Sequence, residues 1–421
     1  MKFQVSNKKF KNIIRQAAAQ VTTKSDRPIL SQARLLATPG EVRLDCNNTE
    51  MIYSATIPAD VDEPGVATLP ASELSAYLSG LGEVDLQFDT AGPKLRLRRG
   101  ELGEVGEFSP AAGETLLDQY PVEDFPAISW PGHEAGMIEV RAGALKNAIE
   151  ATAFAVDKEP PRPGLDCLRF SLVRGALRLG AASNASLALM DVPLYAENGE
   201  TFDNMPFLLP APSCNQLASL LPEDEDDLVE IYLSDNRSYA YFYFKADQAI
   251  ISVGINIMAV NAIDFERMLT PIRSNPYNLV VNREALVKAL RRVLVFTEDK
   301  TNRVVIMTVE PKEPVVGEPP SPYALINLYG RSEQRFETEE MVRAVSYNGE
   351  RVEIGLHISK MLEVLARFEG VTVELLLAGG NKPILIRPVI NRDAQQTVLM
   401  PLIFSQRPAK TSINDSQKVA A

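Results

Sequence analysis

The chain opens with an alternation of apolar and polar positions at Phe3 and Val5 and then changes period. Phe10, Ile13, Ile14, Ala17 and Val21 recur at the 3.6-residue spacing of a helix with one apolar face. The same change of period returns twice. Residues 3–14 read FQVSNKKFKNII, 138–149 read IEVRAGALKNAI and 279–290 read LVVNREALVKAL. In the second copy, Ile138 and Val140 precede a helical face of Leu145, Ala148, Ile149 and Ala153. In the third, Leu279 and Val281 precede Leu286, Ala289, Leu290 and Val293. The copies begin 135 and 141 residues apart.

A second repeated block keeps the same order. LPASELSAYLSGL (69–81), LPAPSCNQLASLL (209–221) and LHISKMLEVLARF (356–368) each predict a short helix leading into a strand, at Val84–Phe88, Leu228–Leu233 and Val371–Leu377. These blocks start 140 and 147 residues apart, so two independent signals share one period and define a threefold internal repeat. Each unit reads as strand, helix, strands, helix, strands. That pattern predicts an α+β fold with two helices packed on antiparallel sheets. Residues 228–254 show the strand pattern most clearly, with a hairpin turn at Asp235 and Asn236. Turn-rich stretches at 121–131 and 261–276 close the first two units. The expected domains are 1–128, 129–270 and 271–404, followed by a polar tail at 405–421 expected to be disordered. PKEPVVGEPPSP (311–322) reads as a flexible hairpin loop inside the third unit.

Composition narrows the function. No apolar run is long enough to span a membrane, and the N-terminus lacks the apolar core of a signal peptide, so a cytoplasmic location is expected. Cys46, Cys167 and Cys214 are far apart and form no CxxC pair, as suits free buried thiols in a reducing compartment. With only His133 and His357 besides, neither a common zinc site nor any other cofactor is expected. The net charge of -12 argues against nucleic acid, but its distribution does not. Residues 1–27 carry +6, which leaves -18 on the rest, a basic patch on an acidic body.

The repeat, together with particular segments in order along it, resembles the bacterial DNA polymerase III beta subunit family, the sliding clamps. The segments are Met1-Lys2-Phe3, Arg27 to Ser31, Thr49-Glu50-Met51, Glu123 to Pro126, Asp264-Phe265 with Arg267, and Met400-Pro401-Leu402. The likeness runs from Met1 to about Phe404. It implies a ring formed by a head-to-tail homodimer, with the helices of six clamp domains lining a central hole. It further implies that the ring encircles duplex DNA without reading sequence and confers processivity on a replicative polymerase. A separate loader would open it.

The residues support a DNA contact on their own account. Lys8, Lys11 and Arg15 lie opposite the apolar face of the first helix, and Lys288, Arg291 and Arg292 do so in the third copy. Such faces suit phosphates without base contacts. The alternative is a charged face that only meets solvent. Recurrence in two equivalent helices of an acidic chain favours DNA. The middle copy does not help, since Lys146 is offset by Glu150. The resemblance adds the loops after each first helix: Lys24 and Arg27, Lys158 and Arg162, Lys300 and Arg303. The family's aromatic pair after the Arg162 position is absent, with Pro163 and Gly164 in its place.

The resemblance also implies an apolar groove for short peptides of the polymerase and clamp loader. The matching positions are Leu165, Ala182, Leu187, Ile263, Arg267, Met268, Met400, Pro401 and Leu402. Read without the family, these are ordinary core or edge residues. Where the family has Asp-Gly-His-Arg-Leu-Ala, this chain has Ser183-Asn184-Ala185-Ser186-Leu187-Ala188, and Ile403 replaces a common basic residue. These departures, with the tail close by, keep open a specialised or second clamp with altered partner binding, acting as an interaction or resistance protein. If the tail covers the groove, deleting 405–421 tightens peptide binding; unchanged affinity counts against that idea. Ring closure is assigned to Phe108 against Val295 and Phe296, with packing inside each domain as the alternative.

An enzyme is the rival class. The chain has no GxxxxGK[ST], GxSxG or HExxH, and the acidic run Glu223 to Asp227 is one contiguous turn rather than a convergent carboxylate set. No catalytic residue is expected.

Overall fold

The computed structural model describes the chain except for residues 22–25, 103–107, 132–135, 158, 199–204, 225, 261, 298–303, 312–323, 332–336 and 403–421, and the side chains of 91, 101–102, 108–113 and 197–198. The described residues form seven α-helices: α1 (Asn7–Ala18), α2 (Ala71–Ser79), α3 (Ala142–Ala153), α4 (Ala211–Leu220), α5 (Phe265–Arg273), α6 (Arg283–Phe296) and α7 (Ile358–Ala366). The remaining regular elements are antiparallel strands and two short 3-10 turns, Pro28–Ser31 and Val122–Asp124. The six helices that the periodicity predicts are present. The loop at 311–322 and the tail fall on undescribed residues, although the strands flanking that loop, Val304–Pro311 and Ala324–Arg331, pair antiparallel with Pro311 opposite Ala324.

Compactness divides the chain in two. The first unit comprises 1–183 and 189–263; the second comprises 184–188 and the chain from 264 onward. The first two repeats share one unit because a sheet runs through both. Strand Met51–Pro58 of the first repeat pairs with Ala249–Asn256 of the second, from Met51 opposite Ile255 to Thr56 opposite Ile250. From there the sheet continues through Tyr239–Ala246, Leu228–Leu233 and Met137–Arg141. The chain on either side of the boundary expected at residue 128 thus contributes strands to one hydrogen-bonded sheet.

The second unit begins with α5, which lies in the stretch that reads in sequence as a turn-rich linker. Asp264 caps it by accepting from the amide of Arg267 at 3.2 Å, and Phe265 and Leu269 are buried one turn apart. Pro271 sits inside this helix and hides the signal, because proline argues against a helix interior. Strand Tyr277–Asn282 then pairs with Thr372–Leu377 and with Glu337–Asn348.

The three repeats match at a contact no sequence pattern displays. The first amide of each leading helix donates to the carbonyl just before, or at the start of, the strand after the second helix. Asn7 N reaches Val84 O at 2.9 Å, Ala142 N reaches Asp227 O at 2.8 Å and Arg283 N reaches Val371 O at 2.9 Å. Each bond satisfies one of the orphan donors of a helix start and ties the two helices of a repeat to one sheet end. The apolar stripes lie underneath. Phe10, Ile13, Ile14 and Ala17 of α1, Leu145, Ala148 and Ile149 of α3, and Leu286, Ala289, Leu290 and Val293 of α6 are all buried. Burying one such large side chain contributes about 1.5–3 kcal/mol, so each stripe suffices to hold its helix to the sheet.

Candidate nucleic-acid interface

With the apolar stripes facing inward, the opposite helix faces are set outward, and the fate of each cation there follows from its neighbours. On α1, Lys8 and Arg15 are exposed and make no side-chain hydrogen bond or ion pair among the described residues. Lys11 is half-buried and donates to the Ser79 carbonyl at the end of α2 at 3.1 Å, where the helix dipole favours a cation. Asn12, beside them, donates to Asp247 at 3.4 Å.

On α6, Lys288 pairs with Glu284 one turn earlier at 2.7 Å. Arg292 does not stand free: its guanidinium makes a two-pronged contact with Glu340 on the strand Glu337–Asn348, at 2.8 and 2.7 Å. That hydrogen bond holds the Glu340 carboxyl below its usual range. Arg291 is exposed and has no such partner among the described residues. Of Lys288, Arg291 and Arg292, Arg291 is thus open and the other two are paired within the described residues. Glu340 lies 48 residues from Arg292, beyond the reach of any helical spacing argument.

On α3 the partner of Lys146 is Glu223, at 2.9 Å, and the Lys146 hydrogen bond lowers the Glu223 pKa. Glu223 and Asp226 belong to the acidic run after α4, and Asp226 pairs with Arg141 at 3.4 Å. The run fastens the start of α3 as well as meeting solvent. Among the described residues, no group of three or more His, Cys, Asp or Glu is arranged to hold a metal ion.

Of the loop cations, Lys24, Lys158, Lys300 and Arg303 lie outside the described residues. Arg27 and Arg162 are exposed. The stretch after Arg162 turns at Gly164, whose φ of +91° explains a glycine there, and Asp166 accepts from its amide at 3.2 Å.

The residues assigned to peptide binding fall in both units. In the first, Leu165 and Ile263 are half-buried and Ala182 is buried, while the Ile263 carbonyl accepts from Arg169 at 2.6 Å. In the second, Met268 on α5 and Met400 are each 44% exposed, Arg267 is exposed and Leu187 is buried. The Met400 amide donates to Ala185 at 2.9 Å and the Leu402 amide to Gly355 at 2.8 Å, fixing Met400, Pro401 and Leu402 along the edge of that unit. Val295 and Phe296, assigned to ring closure, end α6 with 62% and 46% of their surface exposed. Phe108 begins the strand Phe108–Asp118, opposite Leu102, and its side chain is not described.

Comparison with known proteins adds an independent line. Family profiles described as DNA polymerase III beta subunit, N-terminal domain and C-terminal domain match residues 1–129 and 271–402. The chain belongs to the DNA polymerase III beta subunit family. Beta-subunit relatives are similar over nearly their whole length. The beta sliding clamp of Bacillus subtilis is 21% identical over 95% of this chain and 99% of its own. That of Pseudomonas aeruginosa is 22% identical over 96% of this chain and all of its own. Solved structures agree in fold. The P. aeruginosa DNA polymerase III beta subunit superposes with a TM-score of 0.81 at 22% identity, and the B. subtilis sliding clamp with 0.82 at 20%; each covers 96% of this chain and all of the other.

Proposed function

We propose that this chain is a DNA sliding clamp, which encircles duplex DNA as a two-subunit head-to-tail ring and confers processivity on a replicative DNA polymerase. The observation that carries the reading is the repeated helix pair, with unpaired cations on the outer faces of equivalent helices: Lys8 and Arg15 on α1, and Arg291 on α6. Cations presented from regular helices, without base-reading side chains, bind phosphates irrespective of sequence, which is what sliding needs. By the resemblance the loop residues Arg27, Arg162, Lys24, Lys158, Lys300 and Arg303 add further cations for phosphates. In this reading the chain supplies no catalytic group: it holds the polymerase on its template, and bond formation belongs to the partner.

The polymerase and the clamp loader are assigned to the exposed Met268 and Met400 with Leu187, Arg267, Pro401 and Leu402; the resemblance assigns Leu165, Ala182 and Ile263 of the first unit to the same peptides. Unbranched methionines adapt to varied apolar anchors of short peptides. The Ser183 to Ala188 segment, which lacks the His and Arg of the family pattern, supports a second reading: a specialised clamp with altered peptide preference. Titrating a clamp-binding peptide against this chain and a standard clamp separates the two.

Ring formation is tested by native mass at low micromolar concentration. The proposal expects twice 46.3 kDa. A strict monomer removes topological tethering and leaves an interaction protein.

A further inference from the structure

The first unit holds a second concave site, built from two distant pieces of chain. Alternation along Tyr239–Ala246 sends Ala240, Phe242 and Phe244 into the core and places Tyr239, Tyr241 and Tyr243 on the opposite face. The segment after the Val122–Asp124 turn crosses that face. Trp130 packs on Tyr241 with ring centres 5.5 Å apart and meets Tyr243 edge-on at 5.8 Å, while Tyr241 donates its hydroxyl to Ser129 O at 2.8 Å. Tyr239 stacks on Tyr241 at 5.8 Å with 19° between the ring planes. Beside this aromatic layer lies a cleft of about 470 Å³, within the size range of small-ligand sites. Trp130, Tyr239 and Tyr241 wall one side, and Ser234, Asp235 and Asn236 of the adjoining turn wall another.

The turn is held by its own hydrogen bonds. Asn236 accepts from the Ser238 amide at 3.1 Å and from its hydroxyl at 2.6 Å, and Ser234 accepts from the Tyr239 amide at 2.9 Å. Arg237 is engaged elsewhere, donating to Met205 O at 3.0 Å and Pro206 O at 3.4 Å, and it does not line the cleft. Asp235 is exposed, its carboxylate has no partner among the described residues, and it carries the only formal charge among the described residues lining the cleft. Aromatic faces beside an unpaired carboxylate are complementary to a cation, and to a planar one above all. A guanidinium stacks on a ring while its edge N–H groups reach an acid, which a compact ammonium does less well. The net charge of -12 favours approach of a basic segment.

We propose that this cleft receives an arginine side chain of a partner protein, with the guanidinium laid against Trp130 and Tyr239 and hydrogen-bonded to Asp235. Its lining shares no residue with the basic helix faces or with the residues assigned to peptide binding, and its contribution is a second, charge-selective handhold for a basic partner segment.

The test uses the full chain, in which Trp130 is the only tryptophan, so that its fluorescence reports this cleft directly. The probes are acetyl-arginine amide and acetyl-citrulline amide, which share shape but not charge, titrated at constant ionic strength. The proposal expects a saturable change in Trp130 emission with the arginine probe and at least tenfold weaker binding of the citrulline probe. Asp235→Asn should lower the arginine probe to the citrulline level, and Asp235→Glu should keep the discrimination. No saturable change, equal response to both probes, or full arginine binding by Asp235→Asn each overturns it.

Discussion

If phosphates are held by the open cations, the salt dependence of DNA binding counts them. Each phosphate contact contributes about 0.9 to the slope of log affinity against log salt on B-form DNA. Lys8, Arg15 and Arg291 stand unpaired among the described residues, whereas Arg292 is occupied by Glu340. In a two-subunit ring the triple variant Lys8→Ala, Arg15→Ala, Arg291→Ala removes at most six contacts and lowers the slope by up to about 5. Arg291→Ala alone lowers it by up to about 2. The double variant Arg292→Ala, Glu340→Ala deletes an ion pair without changing net charge and should leave the slope unaltered. The assay is the dissociation constant on a circular duplex across a salt series. The reasoning is refuted if the triple variant keeps the parental slope, or if loss of the Arg292–Glu340 pair costs as much slope as loss of Arg291.

Other consequences follow from single contacts. Glu374 is fully buried between Arg387 at 2.5 Å, Arg392 at 3.1 Å and Asn278 at 2.7 Å, so the double variant Arg387→Ala, Arg392→Ala leaves a buried carboxylate without a counter-charge and should destabilise the second unit by about 3–5 kcal/mol, read by denaturant unfolding. Val295→Asp with Phe296→Asp places charge on the exposed end of α6 and should convert a dimer to a monomer by native mass; an unchanged dimer removes these residues from ring closure. A methyl group added at Gly330 would come within 2.6 Å of Val293 and 2.7 Å of Thr297, so Gly330→Ala should lift the end of α6 and cost about 1–3 kcal/mol, with dimerisation weakened alongside. Burial raises all three thiols, Cys167 to about 12 with help from Asp166, so none should react with a disulfide reagent at pH 8 until the chain is denatured.

Periodicity carries most of the fold because it reflects burial directly. The stripe from Phe10 to Ala17 and its two copies are helix faces in both sequence and structure. Where burial and local propensity disagree, the sequence misleads: α5 reads as linker because Pro271 masks a capped helix whose Phe265 and Leu269 are buried. The candidate site is legible only in part. Helical geometry places Lys8, Arg15 and Arg291 on outward faces, but whether a cation is open depends on residues far along the chain. Glu340 and Glu223 select Arg292 and Lys146 as internal partners, and no spacing rule links them. The aromatic cleft was equally hidden, since Trp130 and Tyr241 meet across 111 residues of chain.

The most direct measurement of the central claim is retention on a nicked circular duplex, loaded with a bacterial clamp loader and ATP, before and after one cut linearises the DNA. A topological ring stays with the circle through gel filtration at high salt and is lost once ends are available. Equal retention on both forms, or none on either, contradicts encirclement.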